Sequence, residues 1–179
     1  MSQEQISSLG VIGSASSWRL DPQRSSVLIA HRAMWGLVKV RGKFTQVDGA
    51  GIVTASGDLS GEIVITANSI DTGNAKRDAH LRSADFFDVE QYPDIVAVVT
   101  SGHPDGDQLR LQCDLTVHGV TQQLTVPARI EAASPGELTV SVETSLDRAR
   151  FAMTTNTLGM LRPSTTITIT GLFVRAEAA

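Results

Sequence analysis

The chain has 179 residues, of which 41% are hydrophobic and 19% are charged, and its formal net charge is −4. This length suits one domain that buries a core of its own, and the acidic balance argues against a nucleic-acid partner, which needs a basic surface. A single cysteine, Cys113, excludes an internal disulfide and argues against a zinc–thiolate cluster. No apolar run approaches the roughly 18 residues that a transmembrane helix needs.

The N-terminal segment, residues 1–17, contains no Lys or Arg and no continuous apolar block. A secretion signal carries both features, so we expect this segment to be a flexible tail and the protein to be cytoplasmic. The strand-like pattern begins near Trp18, and we predict one domain over residues 18–175.

After the tail, apolar and polar residues alternate with a period of two, which predicts β-strands. The predicted strands are 25–32, 38–47, 62–67, 95–101, 109–118, 123–130, 138–146 and 165–174. Turn-forming residues are found at 47–49, 60–61, 104–107, 118–119 and 134–136. Strands that are polar on one face form an antiparallel sheet, which folds either into a sandwich or into a closed barrel without edges.

The inward face of these strands consists mostly of Val, Ile and Leu, and aromatic residues make up only 4% of the chain. An eight-stranded barrel lined in this way is either filled by its own side chains or able to hold one apolar ligand. The scarcity of bulky inward residues favours an open lumen. Cys113 lies on the apolar face, where we predict a small core residue.

One segment, 70–93, interrupts the strand pattern and predicts a short helical insert between Thr72 and Tyr92. Asn74 or Thr72 can cap this helix, and Asp78 and Arg82 have the spacing of an i,i+4 ion pair. The apolar side chains of the insert are predicted either to cover one opening of the barrel or to pin the insert to it.

The insert also resembles the YceI-like family. The matching residues, in order, are Thr72, Arg77-Asp78, His80-Leu81-Arg82-Ser83, Phe86-Phe87 and Tyr92-Pro93, with further matches at Trp18, Asp21, 25–26, 40–44 and 115–121. The resemblance covers roughly residues 18–174. It implies an all-β fold, an extended antiparallel eight-stranded lipocalin-like barrel with one short helical insert over one opening. It also implies that a polyisoprenoid chain, an isoprenoid quinone or a polyprenyl phosphate, is bound in the lumen, and that homodimers are common.

The chain departs from the family pattern at several positions. A histidine that often precedes the paired serines is Arg24, an inward phenylalanine is Ile29, and a later histidine is Ala33. The phenylalanine that usually follows the Tyr-Pro pair is Ala97. Replacing phenylalanine with Ile or Ala widens the lumen, so we expect the ligand to differ in detail from that of relatives.

We therefore predict a protein that binds, sequesters or transports an isoprenoid lipid, with no cofactor other than that lipid and no metal. Such a carrier must meet a membrane or a donor enzyme, so transient membrane contact is expected. The predicted lipid-binding residues are Val27, Ile29, His31, Val38, Val40, Phe44, Ile63, Ile65, Leu81, Phe86, Phe87, Ala97, Leu111, Leu115, Val140, Val142 and Phe151.

Four basic residues of the insert, Lys76, Arg77, His80 and Arg82, are candidates for binding the lipid head group. The alternative is that they form a solvated helix face. His31 lies on an otherwise apolar face, where it either hydrogen-bonds the ligand or is satisfied by a neighbouring side chain.

Two other functional classes stay open. An enzyme acting on an apolar isoprenoid-like substrate is the first, although no local nucleophile motif supports it and the four histidines lack metal-ligand spacing. The second is a ligand-free interaction or stress module built on a barrel that is packed solid.

Overall fold

The computed structural model describes residues 15–33, 38–153 and 161–176, with the backbone alone at 32–33, 38 and 161–163. The β-strands of this part of the chain are β1 (Ser16–Leu20), β2 (Ser26–Ala33), β3 (Val38–Phe44), β4 (Val47–Val53), β5 (Leu59–Thr66), β6 (Ile70–Asp71), β7 (Asp94–Asp105), β8 (Gln108–Val117), β9 (Val120–Ser134), β10 (Glu137–Asp147) and β11 (Leu161–Arg175). Helix α1 is Ala75–Arg82, and 3-10 turns are formed by Ala67–Ser69 and Arg148–Phe151.

Eight of these strands close into an antiparallel barrel in the order β1-β4-β5-β7-β8-β9-β10-β11, because β11 pairs back to β1. The predicted fold class is therefore confirmed. The long strand β11 also extends the wall: Phe173 pairs with Leu20 of β1, whereas Thr170 pairs with Ser26 of β2. Strand β2 is followed across the sheet by β3 and β6.

The chain passes from β1 to β2 through a turn that is held by side chains. The Ser25 hydroxyl donates to the Asp21 carbonyl oxygen (2.6 Å) and accepts from the Leu172 amide (3.0 Å). Arg24 donates to the carboxylates of Asp21 (2.7 Å) and Glu137 (2.8 Å). These bonds hold β1 and β2 one after the other along the edge of β11.

The barrel begins at Ser16, slightly before the predicted domain start at Trp18. Ser16 pairs with Val53 and its hydroxyl accepts a hydrogen bond from the Trp18 indole (3.0 Å), which satisfies a polar group that would otherwise be buried alone. Residues 1–14 of the predicted tail lie outside the described part. Among the described residues, no helix is both long and apolar enough to cross a membrane.

Two segments that were predicted as turns, 47–49 and 60–61, belong to β-strands. Val47 is buried and pairs with Ile65, and Gly61 pairs with Gly51 within the β4–β5 ladder. The glycines allow close strand packing there, since a Cβ at Gly61 would lie only 2.7 Å from the carbonyl oxygen of Ala50. The predicted turn at His118-Gly119 is confirmed, and both residues have positive φ angles of 51° and 71°.

The insert contains a helix that is shorter than predicted, and its ion-pair prediction is wrong. Asn74 caps α1 by accepting from the Arg77 amide (3.0 Å). Asp78 is buried and accepts from the amide of Thr72 (3.0 Å) and from its hydroxyl instead of pairing with Arg82. Arg82 donates to the backbone carbonyls of Asn68 (2.9 Å) and Ile70 (2.7 Å). Both side chains thus satisfy backbone groups where the insert leaves the sheet.

Candidate lipid-binding cavity

The barrel encloses one large cavity of about 580 Å³. Its lining is almost entirely apolar and extends from Trp18 and Leu138 at one end to Leu81 and Phe87 of the insert at the other. This volume lies in the usual range for small-molecule sites, roughly 300–1,000 Å³. The barrel is therefore not packed solid by its own side chains.

The predicted lipid-binding residues lie along this cavity wherever their side chains are described. They are Val27, Ile29, His31, Val40, Phe44, Ile63, Ile65, Leu81, Phe86, Phe87, Ala97, Leu111, Leu115, Val140, Val142 and Phe151. The Val38 side chain lies outside the described part. The structure thus places these residues together around one space, and their contact with a lipid stays a prediction.

Several lining residues were missed by the sequence analysis. They include Leu124, Val126 and Ile130 of β9 and Ile167, Ile169 and Phe173 of β11. The sequence pattern that identifies them was present, because both strands alternate apolar and polar residues with the same two-residue period as the strands from which lipid-binding residues were predicted. Cys113 also lines the cavity, and burial raises the pKa of its thiol, which fits the predicted core role.

The insert covers one end of the barrel with two aromatic side chains. Phe87 packs edge-on against Phe44 of β3, with ring centroids 5.8 Å apart, and Phe86 packs against His80 at 5.0 Å. Both phenylalanines also line the cavity. Phe87 therefore does both things that were predicted as alternatives, since it pins the insert to β3 and faces the lumen, whereas the ring contact of Phe86 is made within the insert.

The four basic head-group candidates are not equivalent. Arg77 and His80 border the cavity, whereas Lys76 is exposed and Arg82 is bound to backbone carbonyls. Arg77 donates to the hydroxyl (2.7 Å) and carbonyl (2.9 Å) oxygens of Thr72. These two bonds use two of the five N–H groups of the guanidinium, and binding of a head group by the insert stays a prediction.

A second group of polar residues, His31, Arg148 and Thr165, lies on the part of the cavity wall formed by β2, β11 and the turn after β10; we call it the polar cluster. His31 Nδ1 lies 3.0 Å from Thr165 Oγ1, and these two residues are direct partners across β2 and β11. Arg148 follows β10 immediately, where Leu146 pairs with Thr165. All three polar side chains line the cavity.

The electrostatics of the polar cluster follow from burial in an apolar wall. Burial lowers the pKa of His31, the nearby charge of Arg148 lowers it further, and a backbone hydrogen bond with Ser164 opposes both effects. The neutral form of the His31 imidazole is therefore favoured. Burial also lowers the pKa of Arg148, which Asp147 partly offsets, but a guanidinium keeps its proton in proteins. The polar cluster thus places the Arg148 guanidinium and several hydrogen-bonding groups at the wall of an apolar lumen.

No group of His, Cys, Asp and Glu within the described residues has the arrangement of a metal site. The cavity offers apolar surface, hydrogen bonds and positive charge. This is the chemistry of binding an amphiphile.

The fold and sequence are similar to those of known proteins. The family model for the YceI-like domain matches residues 18–173. Protein YceI of Escherichia coli O157:H7 is 33% identical over 119 residues, which are 65% of this chain and 62% of that protein. The match therefore spans less than two thirds of the relative's length.

Two solved structures have the same fold. BcnA of Burkholderia cenocepacia superimposes with a TM-score of 0.79 at 20% identity, covering 87% of this chain and 99% of BcnA. A polyisoprenoid binding domain from Saccharophagus degradans gives a TM-score of 0.75 at 16% identity, covering 90% of this chain and 99% of that domain. The family match over nearly the whole barrel confirms the resemblance, and the chain belongs to the YceI-like family.

Proposed function

We propose that the protein binds an isoprenoid lipid inside its barrel and carries or sequesters it, rather than acting as an enzyme. The observation that carries this proposal is the apolar cavity of about 580 Å³ inside the closed barrel. Membership of the YceI-like family and the fold shared with the Saccharophagus degradans polyisoprenoid binding domain support an isoprenoid over other apolar ligands.

The cavity suits a ligand whose affinity comes from its chain. Each buried CH₂ group contributes about 0.8 kcal/mol, so a five-carbon prenyl unit contributes roughly 3–4 kcal/mol before the costs of binding. Those costs include lost translational freedom and ordering of the chain. Several prenyl units in contact with the wall would therefore dominate the affinity, and the head group needs only a few polar contacts.

A carrier of membrane lipids must collect its cargo from a membrane or from a donor enzyme. We therefore propose transient membrane contact in a cytoplasmic setting. The homodimer implied by the family resemblance stays a prediction.

Native mass spectrometry of the purified protein tests the proposed function. After expression in a bacterium that makes isoprenoid quinones and polyprenyl phosphates, we expect a mass above that of the bare chain, and organic extraction should release a prenyl lipid. A bare-chain mass, together with no uptake of added farnesol or geranylgeraniol, would overturn the proposal. Conversion of the extracted lipid by the purified protein would favour the enzyme alternative.

A further inference from the structure

We propose that Trp18 and Leu138 close one end of the lumen and set the length of the longest prenyl chain that the protein accepts. These two side chains line both the lumen and a second, smaller space, and we call them the floor. The inference rests on the proposed function, because it adds a chain length to the ligand that the same cavity holds.

The first argument is the position of the floor in the barrel. Strand β5 begins at Leu59, which packs against the buried cluster that contains both floor residues. The same strand ends at Thr66, after which the chain leads through a 3-10 turn and β6 into the insert. The floor and the insert therefore lie at opposite ends of β5, and a ligand chain that extends along β5 away from the insert meets the floor.

The second argument is that side chains fill the lumen at this end. Trp18 and Leu138 are only 5% and 6% exposed. They form a buried cluster with Val53, against which further apolar residues pack. The whole group consists of Trp18, Val53, Leu59, Ile130, Leu138 and Phe173. Its members belong to β1, β4, β5, β9, β10 and β11, six of the eight barrel strands, so the group lies across the lumen and not along one wall.

The third argument is that the Trp18 indole is held in place. Its N–H donates to the hydroxyl of Ser16 (3.0 Å). Arg175, the cross-strand partner of Trp18, places its Cζ atom over the ring, 5.2 Å from the centroid. A cation over the face of an indole is attracted by the ring electrons. A ligand chain would have to break both contacts to push the indole aside, so the ring is a firm stop.

The fourth argument is the space on each side of the floor. A Cβ at Gly51, the partner of Trp18, would have one neighbour within 4 Å among the described residues beyond its adjacent ones, the Ser60 carbonyl oxygen at 3.3 Å. Gly51 lines the lumen, so the lumen stays open up to the level of the indole. The second space, of about 340 Å³, lies between the floor and residues 132–137 of the β9–β10 hairpin.

A limit on chain length follows from this arrangement. Each prenyl unit that enters the lumen buries further apolar surface and tightens binding, until the end of the chain reaches the floor. A longer chain leaves its additional units in water, so its affinity rises no further. Removing a floor side chain would join the lumen to the second space and move the limit to longer chains.

Competition among prenyl alcohols of different lengths tests the inference. The protein would be incubated with an equimolar mixture of all-trans prenyl alcohols of three to eleven isoprene units, and native mass spectrometry would give the bound fraction of each. In the wild type this fraction should rise with length up to a limit and then rise no further. In Trp18→Ala and Leu138→Ala, the first alcohol beyond that limit should gain about tenfold relative to the alcohol at the limit.

Leu109→Ala is the matched control for Leu138→Ala. It removes the same side chain from an equally buried position, 5% exposed, but Leu109 is a described residue that lines neither space. It should leave the length limit unchanged. If Trp18→Ala does not fold, the comparison of Leu138→Ala with Leu109→Ala carries the test.

Three results would overturn the inference while leaving lumen binding intact. They are a wild-type bound fraction that keeps rising to the longest alcohol, a limit that is the same in the wild type and the floor variants, and an equal shift of the limit in Leu109→Ala. Failure of every alcohol to bind the wild-type protein would instead contradict the proposed function.

Discussion

Asp78 shows how one side chain organises the insert. Its carboxylate accepts from the Thr72 amide and hydroxyl, and the same hydroxyl accepts from the guanidinium of Arg77 (2.7 Å). Arg77 also binds the Thr72 carbonyl (2.9 Å). The residues of the predicted motif thus form one network, which ties α1 to the end of β6.

Replacing this buried carboxylate tests the importance of the network. Asp78→Ala leaves the Thr72 amide without its partner, and a buried unsatisfied donor is costly. We expect the free energy of unfolding to fall by about 2–3 kcal/mol, as measured by urea denaturation. The control Asp85→Ala removes an exposed carboxylate of the same insert and should change stability by less than about 0.5 kcal/mol. Similar values for the two variants would contradict the role given to Asp78.

The residue scale also shows where sequence reasoning stopped. The spacing of Asp78 and Arg82 predicts neighbours on a helix surface, and they are four residues apart within α1. Spacing alone does not reveal that the start of the helix folds back on β6. The Asp78 and Arg82 side chains bind backbone groups at that junction instead of each other. Burying those backbone groups without partners would cost more free energy than a surface ion pair contributes.

At the scale of elements, the insert packs closely against β3 because Gly42 of β3 has no side chain. A Cβ at Gly42 would lie 2.8 Å from Thr72 Cγ2 and 3.3 Å from the Asp71 carbonyl oxygen. Thr72 cannot move away cheaply, since Asp78 and Arg77 hold its hydroxyl. The glycine therefore sets how closely the insert approaches the barrel.

A rescue experiment tests this contact. Gly42→Ala should lower the free energy of unfolding by about 1–3 kcal/mol through overpacking. Adding Thr72→Ser removes the clashing methyl group but keeps the hydroxyl, and should restore part of that loss in urea denaturation. A neutral Gly42→Ala, or a double variant less stable than the single one, would contradict the packing described here.

Glycine is also the reason that two turns were predicted where strands exist. Gly49 and Gly61 were interpreted as turn residues, but both lie in the β4–β5 ladder. Sequence cannot distinguish a glycine that reverses the chain from one that lets two backbones approach. The His118-Gly119 turn was predictable because the flanking strands alternate cleanly up to both residues.

On the scale of the whole molecule, the alternation predicted the direction of side chains well, since a two-residue period assigns each one to a face. It could not predict how much space they enclose. That volume depends on the tilt and stagger of the strands, and on the way β11 is shared between β1 and β2. The polar cluster was missed as a unit for the same reason, because His31, Arg148 and Thr165 meet only after the sheet has closed.

The central claim is that the lumen takes up a prenyl chain, and binding of geranylgeraniol to two neighbouring variants tests it most directly. Ala97 lines the cavity, whereas Val98, the next residue of β7, is exposed on the outer face. Ala97→Phe fills space that the account assigns to about one prenyl unit and should weaken binding at least about tenfold, while Val98→Phe should leave the dissociation constant unchanged. Equal affinity of both variants, or no binding by the wild-type protein, would contradict the account.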